Sequence, residues 1–202
     1  TVHRFVNDRV MTQARAWDRD EKFPLETVQE IAAMGLMGIR VQPKWDGSGL
    51  GSTELALVIE ELARGDGSLA LTVASHNGLC TGHINMFGND FQQEKYVKAL
   101  ACGEKLGAWG LSEPGSGSDA AGMCTSATRE GDFWILNGSK IFITQGTVGD
   151  VYVIMARTDK DKGPKGISAF IVEKGVDGFS QEPMKKKLVW VLGLGCNVSF
   201  VW

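Results

Sequence analysis
A change of hydrophobic period near residue 105 splits this chain into two kinds of structure. Before it, apolar residues recur at helical spacing. Val2, Phe5, Val6, Val10, Ala14 and Trp17 fall near one face. A second helix has Pro24 near its first turn, Leu25, Val28, Ile31 and Ala32 inward, and Gly35 as its stop. Gly47-Ser48-Gly49-Leu50-Gly51 reads as a loop, and Ser52 as the cap of a helix carrying Leu55, Ile59 and Leu62. Residues 68–87 are mostly small and apolar, which predicts a helix buried on several sides. Asp90 with Gln93 forms a capping-box pattern for a last helix running to Gly103.

After Lys105 the runs shorten and become rich in β-branched and aromatic residues, at 123–129, 133–136, 140–144, 151–157 and 167–172. Gly131-Asp132 and Asn137-Gly138 separate the first three as hairpin turns would. The expected fold class is therefore α+β: an N-terminal α-helical domain over 1–104, then a small antiparallel β-sheet or barrel domain over 105–202. The 202 residues suffice for a sizeable core. A net charge of −3 without a basic stripe argues against a nucleic-acid partner. Lys185-Lys186-Lys187 reads as a solvated surface turn. No apolar run reaches membrane-spanning length, no cleavable signal peptide opens the chain, and no membrane partner is expected. Cys80, Cys102, Cys124 and Cys196, with His3, His76 and His83, complete no metal-ligand pattern, which predicts no metal site and mostly buried, reduced thiols.

The stretch Leu111-Ser112-Glu113-Pro114-Gly115-Ser116-Gly117-Ser118-Asp119 carries the chemistry. Its glycines allow close backbone approach to a ligand, and successive amides in such a turn can form an anion-binding nest. Residues 115–120 also fit the dinucleotide fingerprint G-x-G-x-x-A, but Pro114 spoils the entry and Thr125, Ser126 and Thr128 look like strand rather than helix. Taken alone, the stretch is also an ordinary surface turn. A second marker follows, Asn137-Gly138-Ser139-Lys140-Ile141-Phe142-Ile143-Thr144, in which Phe142 and Thr144 alone would be a core aromatic and a surface hydroxyl.

Together, in this order and spacing, the two segments resemble the flavin-binding segments of the acyl-CoA dehydrogenase family. The resemblance runs from about Phe5 to Lys187 and takes in Pro24, Gly35-Leu36-Met37-Gly38, Gly47-Ser48-Gly49, Ile59-Glu60-Glu61-Leu62-Ala63, Phe87-Gly88 and Gly103-Glu104. It implies FAD as cofactor. Trp109, Leu111 and Ser112 would lie beside the flavin ring, and the amide of Leu111 or Ser112 and the Ser112 hydroxyl would bond its pyrimidine edge. Ser118 would lie by the FAD pyrophosphate and the acyl-CoA substrate. Phe142 would pack on the isoalloxazine ring and the Thr144 hydroxyl would face the reactive flavin nitrogen. Gly117 and Ile143 belong to the same cofactor-binding segments. Gln145 stands where the family commonly has asparagine.

The implied reaction oxidises a saturated acyl-CoA, short-chain by overall similarity, to trans-2-enoyl-CoA, with electrons passing to an electron-transfer flavoprotein. The family's catalytic glutamate belongs to a third, helical domain, and no glutamate here matches it. Glu113 reads as a turn-shaping residue, so no catalytic residue is assigned. The stretch from about 188 departs from the family, being almost uncharged and apolar, and would be an aggregation hazard if solvated. The expectation is a two-domain family fragment, from a truncated or frame-shifted gene or a damaged sequence record, that binds FAD weakly and does not turn over alone. The full-length protein is expected to be a homotetramer, cytoplasmic in a bacterium or in the mitochondrial matrix of a eukaryote. A non-catalytic ligand-binding remnant and an acyl-CoA oxidase are the alternatives.

Overall fold
The computed structural model describes residues 1–184 and 196–200. The Lys185-Lys186-Lys187 run and most of the unusual tail lie outside the described residues. Everything described up to Ala101 is helix or loop: α1 (Val2–Phe5), α2 (Ala14–Arg19), α3 (Leu25–Ala33), α4 (Ser52–Gly65), α5 (Gly67–Ser75), α6 (Gly82–Phe87), α7 (Asp90–Gln92) and α8 (Lys98–Ala101). Wide π turns at Val6–Val10, His76–Thr81 and Gln93–Val97 keep helical backbone between neighbours, so α5 and α6 continue as one rod over 67–87. Val6, Val10, Trp17, Val28, Ile31 and Leu62 meet Leu69 and Val73 in one core, as the period predicts.

Three local expectations shift. Leu25 is exposed rather than inward, because at the first residue of α3 its side chain tilts back past the helix start. Gly51, not Ser52, is the N-cap of α4, and the Glu54 carboxylate accepts from its amide at 2.8 Å. The capping box sits one residue early. Asn89 Oδ1 accepts from the Gln92 amide at 2.9 Å, and the Asn89 amide donates back to Gln92 at 3.0 Å. Gln93 instead donates to the carbonyls of Asn85 and Gly88.

The strands are β1 (Gly107–Gly110), β2 (Ser126–Glu130), β3 (Phe133–Ile143), β4 (Val151–Arg157), β5 (Ile167–Glu173), β6 (Phe179–Pro183) and β7 (Cys196–Phe200). They form one sheet in the order β1-β4-β2-β3-β7-β6, with β5 also on β4. Most pairings are antiparallel as expected, but β1 and β2 run parallel to β4, making the sheet mixed. The α+β class stands. Alternation along β4 divides its burial: Val151 and Val153 pack under the helices with Cys80, Ile84 and Leu100, while Tyr152, Ile154 and Ala156 face the sheet's own core. Val198 and Phe200, from the tail expected to be a hazard if solvated, are buried in that core between β3 and β6.

Gly131-Asp132 is the predicted two-residue hairpin, with Glu130 opposite Phe133. Asn137-Gly138 is not a turn. Asn137 pairs with Ser126 of β2 and Gly138 with Phe200 of β7, so β3 passes straight through and changes partner there. Gly138 takes φ +146°, and a Cβ on it would come within 2.7 Å of the Thr125 Cα. Gly138→Ala should therefore destabilise the protein by about 2 kcal/mol through overpacking, read as a lower urea midpoint at unchanged slope.

The cysteine expectation fails in part. Cys80 is buried and its thiol is pushed up to about 12 by burial, but Cys102 and Cys124 are exposed. Both lie on loop or turn backbone. No helix among the described residues is long and apolar enough to cross a membrane.

Candidate functional site
Parallel pairing on β4 creates the site. Residues 107–110 occupy one edge of β4 opposite 151–154, and the chain returns to β4 where Ser126 pairs with Arg157. Between these two points residues 111–125 make an excursion from the sheet, and Leu111, Ser112, Gly117 and Ser118 all lie on it. A single 3-10 turn at Ala120–Gly122 interrupts it, with strand after, so the dinucleotide fingerprint has no helix to open.

The excursion is pinned at several points. Glu113 and Ser116 exchange backbone hydrogen bonds, the amide of Glu113 donating at 2.9 Å and that of Ser116 at 3.1 Å. The Glu113 carboxylate, 6% exposed, accepts from the amides of Cys124 (2.6 Å) and Thr125 (3.0 Å) and from Lys140 Nζ (2.6 Å). Lys140 is fully buried on β3 and also donates to the Leu111 carbonyl at 3.0 Å. Burial alone would push the Glu113 carboxyl up, but Lys140 and the two amides outweigh it and hold it below the ordinary carboxylate range. The same burial draws the Lys140 ammonium below the ordinary lysine value, against the pull of Glu113. On the return leg, Arg157 donates to the carbonyls of Ala121, Met123 and Gly163.

The second segment lies against the first. The Ile141 amide donates to the Ser112 carbonyl at 2.8 Å, which sets residues 137–144 alongside 111–113. Phe142 is 64% exposed and takes φ +58°, a left-handed conformation costly for an aromatic residue, at the irregularity between Lys140 and Ile143 in the β3–β7 pairing. The expectation of a core aromatic there fails, because the irregularity breaks the alternation and turns the ring outward. Ile143 is buried in the sheet core, so only its backbone remains to face a ligand. Thr144 is half-buried just past β3. Trp109 packs on the helix-facing cluster with Val41 and Cys80, and its buried Nε1 has no hydrogen-bond partner among the described residues. Nor do the hydroxyls of Ser112 and Thr144, or the Ser112 amide. Gly115, Gly117 and Ser118 are exposed at the tip, and a Cβ on either glycine would meet nothing within 4 Å.

The helices brace the site from behind. His76 is fully buried; its Nδ1 accepts from the Gly107 amide at 3.0 Å, which leaves Nε2–H to donate to the Leu100 carbonyl at 3.0 Å. Burial lowers its pKa to about 4. Gln145, buried with φ +49°, donates to the Gly107 carbonyl at 2.7 Å and reaches the Thr72 carbonyl of α5 at 3.4 Å.

Sequence reasoning missed Lys140, Arg157, His76 and Gln145 as supports. The available signal was a lysine beside the apolar run Ile141-Phe142-Ile143, where a solvated residue breaks the pattern least at an edge. A cavity of about 510 Å³ lined by Tyr96, Trp134, Phe170, Glu173, Phe179 and Phe200 includes none of the candidate residues. That cavity is therefore separate from the hydroxyls and strained backbone of the candidate site.

Two family profiles match the chain: "Acyl-CoA dehydrogenase, N-terminal domain" over residues 1–104 and "Acyl-CoA dehydrogenase, middle domain" over residues 108–190. A short-chain-specific acyl-CoA dehydrogenase of Clostridium acetobutylicum is 43% identical over 187 residues, 93% of this chain and 49% of the relative. The structure of butyryl-CoA dehydrogenase from Megasphaera elsdenii superposes with a TM-score of 0.94 at 36% identity, covering 98% of this chain and 53% of that one. A glutaryl-CoA dehydrogenase of Mycobacterium smegmatis in complex with FADH2 superposes at 0.93 and 30% identity, covering 99% and 50%. Relatives named as mitochondrial enzymes of eukaryotes match as well. The chain thus spans about half the length of the relatives it matches.

Proposed function
The chain belongs to the acyl-CoA dehydrogenase family, and on that premise we propose that it holds FAD along residues 109–112 and 142–144 for the oxidation of an acyl-CoA thioester. The observation that carries this reading is the Ser112–Ile141 backbone bond, which sets two segments with unpartnered hydroxyls side by side. The residues present suit the cofactor. The Ser112 amide and hydroxyl supply donors for the flavin's pyrimidine edge, and the outward ring of Phe142 supplies an apolar face. Trp109 and the backbone of Leu111 and Ile143 close the ring site. Open space around Gly117 leaves room for a pyrophosphate, with the Ser118 hydroxyl as a donor to it and to the acyl-CoA.

When bound, FAD accepts the hydrogen leaving Cβ of the acyl chain as hydride. This chain's part is to orient and to supply donors. The Thr144 hydroxyl would face the reactive nitrogen, and the pinned 111–125 excursion keeps the donors fixed before ligand arrives. Glu113 is no base, because Lys140 and two amides already occupy its carboxylate. We assign no base within these residues, a helical unit at 1–104, a β unit at 105–202, and weak FAD binding without turnover for this chain alone. For the full-length protein we propose short-chain acyl-CoA as substrate, an electron-transfer flavoprotein as acceptor and a homotetramer.

Titration of the purified protein with FAD tests the reading. A shifted flavin absorption band is expected, with affinity reduced about tenfold in Ser112→Ala/Thr144→Val by the loss of two hydroxyl contacts. A flavin spectrum identical to that of free FAD at every protein concentration sinks it. Butyryl-CoA with a dye acceptor should give no bleaching by this chain; bleaching would contradict the absence of a base.

A further inference from the structure
Lys140 does something that an ion pair with Glu113 does not require: its ammonium also bonds the Leu111 carbonyl at 3.0 Å. That carbonyl and the Ser112 N–H belong to one peptide group, and in a trans peptide they point in opposite directions. The carbonyl end therefore faces a fully buried cation, while the N–H end has no partner among the described residues. The next peptide is fixed as well, because the Ser112 carbonyl accepts from Ile141. A charge-assisted bond on the oxygen of an amide draws electron density from its nitrogen and makes the N–H a stronger donor, most of all where water is excluded.

We propose that Lys140 is a positioning residue for the flavin: from β3 it polarises the Leu111–Ser112 peptide and aims that N–H at the cofactor's pyrimidine edge. This rests on the FAD reading above. Negative charge gathers at that edge when FAD is reduced, so the polarised donor favours reduced over oxidised FAD. A latch that merely held the loop would serve both forms equally.

The first test needs no cofactor. In the wild-type protein, nitrogen-15 NMR should show Lys140 Nζ at neutral pH as a slowly exchanging ammonium correlated through its hydrogen bond with the Leu111 carbonyl carbon. A neutral amine there overturns the proposal, whether or not any variant folds. In Lys140→Met/Glu113→Gln, which removes both charges together, the Ser112 amide proton should move upfield. Cys124 and Thr125 donate to different oxygens of Glu113, so the one oxygen of the substituted glutamine should keep one of these two amides protected while the other loses protection. An unmoved Ser112 resonance overturns it.

With cofactor, the double variant should lose about tenfold more affinity for reduced than for oxidised FAD. Equal losses would leave Lys140 a structural prop and overturn the proposal. Should wild-type protein leave FAD unperturbed while the NMR results hold, the FAD reading fails and the aim toward a flavin falls with it. The polarised peptide would then stand as a separate finding.

Discussion
Lys140→Met alone should cost roughly 3–5 kcal/mol of stability, the penalty for leaving one member of a buried ion pair without its partner. Methionine fills the lysine's volume, so little of the loss comes from a cavity. It comes from Glu113, 6% exposed, which keeps its two amide donors but loses its counter-charge. Lys140→Met/Glu113→Gln should recover part of the loss: it removes the unpaired buried charge, but its single oxygen can accept from only one of Cys124 and Thr125, which use different oxygens of Glu113. Urea unfolding of wild type, single and double variant at pH 7 measures both numbers. The pH dependence carries the sign. In the wild type the Glu113 pKa is depressed, so its contribution is present above the unfolded value and is lost as pH falls through the folded one. In Lys140→Met the same carboxyl keeps its burial but loses its counter-charge, so its pKa rises relative to wild type and the variant's deficit should shrink toward acid. A deficit constant from pH 7 to pH 4 would remove Glu113 as its source.

The strands that sequence reading located best are those whose patterns are local. Residues 151–157 and 167–172 are short runs rich in β-branched and aromatic residues, and the structure gives β4 as Val151–Arg157 and β5 as Ile167–Glu173. β3 was legible only in pieces, because Asn-Gly is a strong hairpin signal whenever nothing else is known. What overrides it is non-local: β2 and β7 pair with opposite halves of β3, and the strand must cross between them at the one residue that can sit against Thr125 without a side chain. β6 and β7 are invisible to a period-2 search for the same reason, since each needs the other's edge.

The candidate site was legible as motifs and not as geometry. The residue order suggested which side chains would gather, but Phe142 facing outward depends on a left-handed backbone at an irregular pairing that no residue pattern announces. Lys140 is the clearest case. A lysine on a strand is by default a solvated residue, and its burial makes sense only once Glu113, from the 111–125 excursion, is known to lie against it. Sequence reading gave Glu113 the role of shaping its turn; the three donors on its carboxylate are how it does so.

Acid should loosen the joint between helices and sheet, and His76 should account for about 3 kcal/mol of that loss. The imidazole is fully buried, and desolvation, only partly offset by backbone carbonyls, takes its pKa from 6.5 to about 4. The unfolded chain therefore binds a proton that the folded chain refuses between those two values. Stability is full above the unfolded pKa and falls as pH drops from about 6.5 toward 4. The structural reason is specific: the nitrogen that would take the proton, Nδ1, already accepts from the Gly107 amide, the first residue of β1. Protonation would set two donors against each other at the base of the strand that leads to Trp109 and Ser112. His76→Gln keeps a donor for the Leu100 carbonyl and removes this titration, so its urea midpoint should be lower at pH 7 but fall less steeply than wild type between pH 6.5 and 4.5. Depressed carboxylates such as Glu113 and Glu173 lose their contributions only below the ordinary glutamate value, which leaves the upper window to His76 and, in smaller part, to the partly buried His83, whose pKa desolvation also lowers. Equal slopes for wild type and His76→Gln across that window would show that the ring is not kept neutral by the fold.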